Sequence, residues 1–227
     1  FRMVVDLADL DRSITINAPG QSGDVRSAHY ADLAPLWAKG DYVPLLYTDA
    51  AIRRAVECGV RSIEHGNLVT PETARLIVEK GAYVVPTNVT FEYLARDGAA
   101  LGLPPESVAK IEDVRGAGLE ALGILHEAGV MMPYGSDLLG EMHQHQSDEF
   151  IIRGRRLPAH DVIRSATIDA ARCLRMEGRI GAIAPGAYAD MIVVDGDPLA
   201  DLALLTRQGV HMPIIMQNGR FAKRERL

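Results

Sequence analysis

With 227 residues, 48% hydrophobic and 24% charged, the chain can bury one or two real cores, and its 5% aromatic content beside abundant Ala, Gly, Leu and Val suits α/β architecture better than a β-sandwich. A formal net charge of −6 argues against a nucleic-acid partner, because phosphates are held mainly by basic surface. The longest stretch free of Asp, Glu, Lys and Arg is 208–219, well short of the ~20 apolar residues that span a bilayer, so no membrane segment is expected.

In chain order, residues 1–47 read as strands over 2–7 and 13–16 flanking a turn, a Pro/Gly/Ser loop over 18–23 and a short helix over 31–39. From Thr48 a different rhythm begins. Residues 49–58 form a helix with Ile52, Ala55 and Val56 on one face, ended by Gly59, and 60–64 a strand. Thr70 as N-cap and Pro71 in the first turn start a helix that runs to Lys80 and stops at Gly81. Residues 82–86 read as a strand, followed by a loop through Gly98.

Pro104-Pro105-Glu106 opens a long helix to about Ala128, with Val108, Ile111, Leu119, Leu122 and Leu125 near a 3.6 period. A strand over 130–134, a Gly135-Ser136-Asp137 turn, a helix around 146–155 and one or two helices over 158–174 follow. This alternation is that of parallel βα units. Gly181, Pro185 and Gly186 then punctuate a loop before strands at 191–194, 213–217 and 220–222, the first closed by the turn Asp195-Gly196-Asp197-Pro198. Cys58 and Cys173 lack metal-type spacing and read as buried thiols in a reducing, cytoplasmic compartment, and the basic tail Arg220, Lys223, Arg224, Arg226 as a solvated face.

Two residues stand where strands hand over to loops, the place where parallel barrels carry their chemistry: His65 after Arg61-Ser62-Ile63-Glu64, and Asp137 after Tyr134-Gly135-Ser136. By type alone they read as a structural hydrogen-bonding histidine and a helix cap. Ile63-Glu64-His65-Gly66, Tyr83-Val84-Val85-Pro86-Thr87, Tyr134-Gly135-Ser136-Asp137-Leu138-Leu139-Gly140, Gln146-Ser147-Asp148-Glu149-Phe150, Ser165-Ala166-Thr167 and the 179–198 loop and strand resemble the later barrel strands and barrel exit of metal-dependent amidohydrolases. The branch they resemble groups with Xaa-Pro dipeptidases and imidazolonepropionases, over about 47–220.

The resemblance implies an incomplete TIM barrel over 47–178 and part of a small β-domain over 179–227. It implies His65 as the sixth-strand metal ligand, Asp137 as the eighth-strand metal ligand and proton acceptor, and Tyr47 as a weaker contact for a substrate carboxylate. It also implies a divalent metal, zinc first, that activates water against an amide or dipeptide. The pattern is departed from as well. The first-strand His-x-His, the fourth-strand Lys and the fifth-strand His have no counterpart, Leu45 standing at the last position, so the metal need not be retained. His143-Gln144-His145 is a poor replacement, since side chains two apart diverge on a helix, and His126, His160 and His211 read as solvated or capping. Glu64, Asp190 and Asp195 read as supporting or turn residues.

In the first 46 residues, Phe1-Arg2-Met3-Val4-Val5-Asp6-Leu7, Pro19-Gly20-Gln21-Ser22-Gly23, Ser27-Ala28-His29-Tyr30, Leu36-Trp37 and Gly40-Asp41-Tyr42-Val43-Pro44-Leu45 resemble the C-terminal end of the penicillin acylase family β chain. That family's nucleophile lies outside such a segment, so His29, Ser22 and Gln21 read as loop and packing groups. Three functions follow: an amidohydrolase of incomplete ligand set, a non-catalytic fragment or fusion remnant, and an acylase-type amide hydrolase. Few barrel strands leave sheet edges exposed, which invites association between copies, a homo-oligomer included.

Overall fold

Helix starts are written plainly in this chain. In the computed structural model, which describes residues 48–100, 102–138 and 140–225, the first two helices begin at threonine caps. Helix α1 (Asp49–Glu57) follows Thr48, whose side chain accepts from the Ala51 N–H. Helix α2 (Pro71–Lys80) follows Thr70, which accepts from the Thr73 N–H, and ends at Gly81 in the left-handed region. Asp49 ties the two starts together by accepting from the Thr70 amide at 2.8 Å and its hydroxyl at 2.9 Å.

Strand β1 (Ser62–Glu64) follows α1 and β2 (Tyr83–Val85) follows α2, and the two pair in parallel with Ile63 opposite Val84. Parallel bridges extend this sheet at Thr48–Leu68 and Tyr83–Met131. Helix α3 (Asn88–Asp97) and the long α4 (Pro105–Ala128) follow β2. After Met131 come a 3-10 segment (Gly140–Asp148), α5 (Glu149–Gly154), α6 (Ala159–Arg164), a π turn (Ser165–Asp169) and α7 (Ala170–Cys173). Ile52, Val56, Ile63, Ile77, Val84, Leu122, Leu125 and Val162, none more than 1% exposed, pack the sheet against α1, α2, α4 and α6.

Four sequence expectations are corrected here. The loop read through Gly98 is helix α3. Its Val89, Phe91 and Tyr93 are buried, and Val89 and Tyr93 pack with Leu138, Met142 and Ile152, so tertiary docking rather than a cap or a clear period creates it. The strand read over 130–134 pairs only at Met131. Pro133 has no N–H to give, the carbonyls of Met132 and Pro133 accept from Arg153, and the Tyr134 N–H goes to the Ser165 carbonyl at 3.0 Å. The helix read around 146–155 is α-helical only over Glu149–Gly154. Of the two thiols read as buried, Cys58 is exposed and Cys173 half-buried.

Beneath α3 lies a wholly buried ion pair. Arg153 Nε donates to Glu149 Oε1 at 2.8 Å, Nη1 to the Met132 carbonyl at 2.7 Å and Ser165 Oγ at 3.2 Å, and Nη2 to the Pro133 carbonyl at 3.0 Å. Glu149 Oε2 in turn accepts from the Val89 N–H at 2.6 Å. One Glu–Arg pair thus joins α5, the start of α3, the 132–133 backbone and the π turn.

The C-terminal part is antiparallel. Strands β3 (Met191–Val193), β4 (Ile214–Gln217) and β5 (Arg220–Arg224) lie in that order. Asn218 and Gly219, with φ of 48° and 75°, make the two-residue turn between β4 and β5. The expectations for residues 1–47, Leu45 and Tyr47 among them, lie outside the described residues.

Candidate functional site

His65 is the first residue past β1, and its amide still donates to the Val85 carbonyl at 2.9 Å. There the chain turns, with φ of 70° at His65 and 67° at Gly66. Gly66 is required on space as well, since a Cβ would stand 2.9 Å from Val84 Cγ1. Thr87, two residues past β2, has φ of 46°, and Asp137, past the Met131 bridge, has φ of 48°. Among the described residues only six non-glycine residues have positive φ. Three of them are His65, Thr87 and Asp137, so backbone strain concentrates where the parallel segments end.

These ends converge. His65 Nε2 lies 3.8 Å from Asp137 Oδ2, with side-chain exposures of 14% and 25%. On its other side His65 Nδ1 meets Thr87 Oγ1 at 2.7 Å, and Phe91 stands edge-on to the imidazole with ring centres 5.5 Å apart. The Thr90 hydroxyl is shared between the carbonyls of Ser136 at 2.5 Å and Asp137 at 2.7 Å. Burial pushes the His65 imidazole down to about 4 and the Asp137 carboxyl above its ordinary range. Glu64 is also raised, by burial first and then by Asp137, although the Ser62 hydroxyl bonded to it works the other way.

The pair suits a cation. Both shifts mark groups held in a poorly solvated place. Two ligands of one tetrahedral zinc, at about 2.0–2.1 Å each, stand roughly 3.4 Å apart, so a small side-chain adjustment lets this imidazole and carboxylate share an ion. No third His, Cys, Asp or Glu joins them among the described residues, whereas catalytic zinc usually takes three protein ligands.

The other histidines go elsewhere. His145 stacks on Tyr93 with ring centres 3.8 Å apart and reaches Asp148 at 3.3 Å, while His143 is exposed. His126 and His160 flank Asp161 at 3.0 and 3.1 Å. A cavity of about 620 Å³ lies beyond α3 and touches neither His65 nor Asp137. Its guanidinium groups are already paired in part: Arg96 with Asp97, Arg115 with Glu112 and Glu92, Arg155 with Glu92. Sequence reasoning placed Thr87 and Glu149 within family-like motifs without giving them a role, and did not single out Thr90, Phe91 or Arg153. Thr87 and Thr90, three apart just past a strand, were the available signal.

The amidohydrolase family profile matches residues 45–221, and the penicillin amidase profile matches residues 1–54. A crystal structure of an amidohydrolase is 56% identical to this chain with a TM-score of 0.77, covering 79% of it and 43% of that protein. A prolidase crystallised with N-methylphosphonate-L-proline is 51% identical with a TM-score of 0.76, covering 79% and 44%. An uncharacterised protein of Mycobacterium tuberculosis is 28% identical over 214 residues, 87% of this chain and 56% of its own length. The chain thus spans about half the length of these relatives.

Proposed function

Because this chain belongs to the amidohydrolase family, we propose that it hydrolyses a carbon–nitrogen bond of a small amide or dipeptide, with His65 and Asp137 as two of the groups that hold a divalent metal. Zinc suits an imidazole and a carboxylate oxygen best. The approach of His65 Nε2 to Asp137 Oδ2 at 3.8 Å carries the reading, since it joins the end of β1 to the turn past the Met131 bridge, far apart in sequence. When bound, such an ion lowers the pKa of water towards ~7 and polarises a carbonyl. Asp137, partly open to solvent, takes the proton from the attacking water and passes it to the leaving amine. Phe91 and the buried wall beneath His65 keep bulk water from that side of the imidazole. The prolidase likeness makes an Xaa-Pro dipeptide the substrate to try first.

Around the site, we read 47–178 as later units of a (β/α)8 barrel, supported by β1, β2 and the Met131 bridge all running parallel. We read 179–227 as part of a small β-domain, supported by the antiparallel β3–β5, and 1–46 as an acylase-like segment, supported by the match over residues 1–54. No helix of the described residues is long and apolar enough to cross a membrane. The unpaired Cys58 and Cys173 support a reducing, cytoplasmic setting.

Stoichiometric uptake of zinc, manganese or cobalt by the purified full chain, with cleavage of an Xaa-Pro dipeptide that Asp137→Asn abolishes, is the expected result. Absence of both uptake and cleavage would overturn it. A non-catalytic role is the second reading, favoured by the two-member donor set among the described residues. Uptake of metal without cleavage would support it.

A further inference from the structure

Three described helices start at a threonine, and only two use it as a cap. Thr48 and Thr70 are extended (φ −82° and −93°) and accept from amides of their own first turns. Thr87, at the same position before α3, is left-handed and makes no side-chain cap hydrogen bond. For a β-branched residue that conformation is strained. Capping at this helix falls instead to Glu149, whose carboxylate accepts from the Val89 N–H at 2.6 Å. Thr87 gives up the role its residue type favours, adopts a strained backbone, and turns its hydroxyl to His65 Nδ1 at 2.7 Å. One turn later Thr90 spends its hydroxyl on the backbone of Ser136 and Asp137 rather than on its own helix. Both threonines are at most 5% exposed, so neither bond competes with bulk water.

We propose that Thr87 and Thr90 are the positioning residues of this site: Thr87 holds His65 in the tautomer with the proton on Nδ1, so that the Nε2 lone pair faces Asp137, and Thr90 fixes the left-handed turn that carries Asp137. Across 2.7 Å the Thr87 oxygen can accept from an Nδ1–H, which leaves Nε2 as the unprotonated nitrogen on the Asp137 side. A nitrogen that binds metal must be unprotonated, and its orientation is set by the bond the other nitrogen makes. The short run Thr87-Asn88-Val89-Thr90 thereby orients both groups as one unit, itself anchored by Glu149. This inference rests on the reading of His65 and Asp137 as metal-holding groups, but its main measurement needs no metal.

The imidazole nitrogens of His65 are read by 15N NMR in the metal-free, full-length chain near neutral pH, with His65→Asn used to assign the resonance. Nδ1–H is expected in the parent and in Thr87→Ser, and a shift towards Nε2–H in Thr87→Val. Thr90→Val should leave the tautomer unchanged. Titration with zinc alone should show affinity lowered about 10–100-fold in Thr87→Val, retained in Thr87→Ser and lowered in Thr90→Val. An Nε2–H tautomer in the parent overturns the proposal without any variant being needed. So does a folded Thr87→Val with an unchanged tautomer and zinc affinity, or a folded Thr90→Val that binds zinc as the parent does. If the tautomer behaves as expected but no variant, nor the parent, binds zinc, the role of Thr87 stands and the metal reading falls.

Discussion

Two polar clusters sit within about one helix of each other, and they are built on opposite terms. The Glu149–Arg153 pair is fully buried: its guanidinium meets one carboxylate, two backbone carbonyls and a hydroxyl, and the carboxylate caps α3. His65 and Asp137 are partly open, lie on left-handed backbone and stand just too far apart for a hydrogen bond. A closed network of satisfied groups is what a structural role needs, and a strained, part-open pair is what a binding role needs. Damage should therefore separate: breaking the first should destabilise the fold, and altering the second should change its chemistry while leaving it folded.

The largest effect is expected at Arg153. Arg153→Met leaves the Glu149 carboxylate buried and unpaired, and burial already holds that carboxyl above its ordinary range. A loss of about 3–5 kcal/mol is expected in urea unfolding. Replacing both partners, Glu149→Leu with Arg153→Met, should cost less than the single change, because no charge is left stranded. An Arg153 variant as stable as the parent would erase the distinction between the clusters.

Next in size is the pH response of the open cluster. An imidazole with its folded pKa lowered from 6.5 to about 4 gives stability that is present above pH 6.5 and is lost as pH falls through 4. A shift of that size corresponds to roughly 3 kcal/mol at most. Asp137 and Glu64, both raised, act in the opposite sense: their contribution is present below their unfolded values and is lost as pH rises through the folded ones. The difference between the metal-free parent and His65→Asn isolates the histidine. The parent should lose stability more steeply between pH 6.5 and 4, and equal slopes would place His65 in a well-solvated setting.

How far these clusters could be read in the sequence follows from the range of the forces that make them. The caps at Thr70 and Gly81 and the long helix opened by Pro105 are local, and each stands where its residues predict. His65 and Asp137 were legible as strand-end residues with a family likeness, and their approach depends on the parallel order of the strands. Helix α3 was not legible, because Glu149, 60 residues away, supplies the Val89 amide of its first turn with a partner. The strand at 130–134 was overread for the same reason, since Arg153 and Ser165 take the backbone groups that a neighbouring strand would have used. Local pattern cannot report a bond whose other half lies on a distant helix.

The smallest expected change in stability is the most telling of the series. Asp137→Asn keeps the size of the side chain and suits the left-handed conformation at φ 48°, where Asn is among the better-tolerated residues. It also removes a carboxylate whose ionised form burial disfavours. The Thr90 bonds go to the backbone at 136 and 137, so the turn itself should persist. Thermal unfolding near neutral pH should therefore place the variant level with the parent or up to about 1 kcal/mol above it, while metal uptake and any amide hydrolysis disappear. A structural residue would show the reverse, a loss of stability with binding intact. That result at residue 137 would move Asp137 into the same class as Glu149 and leave the open cluster without a proton acceptor.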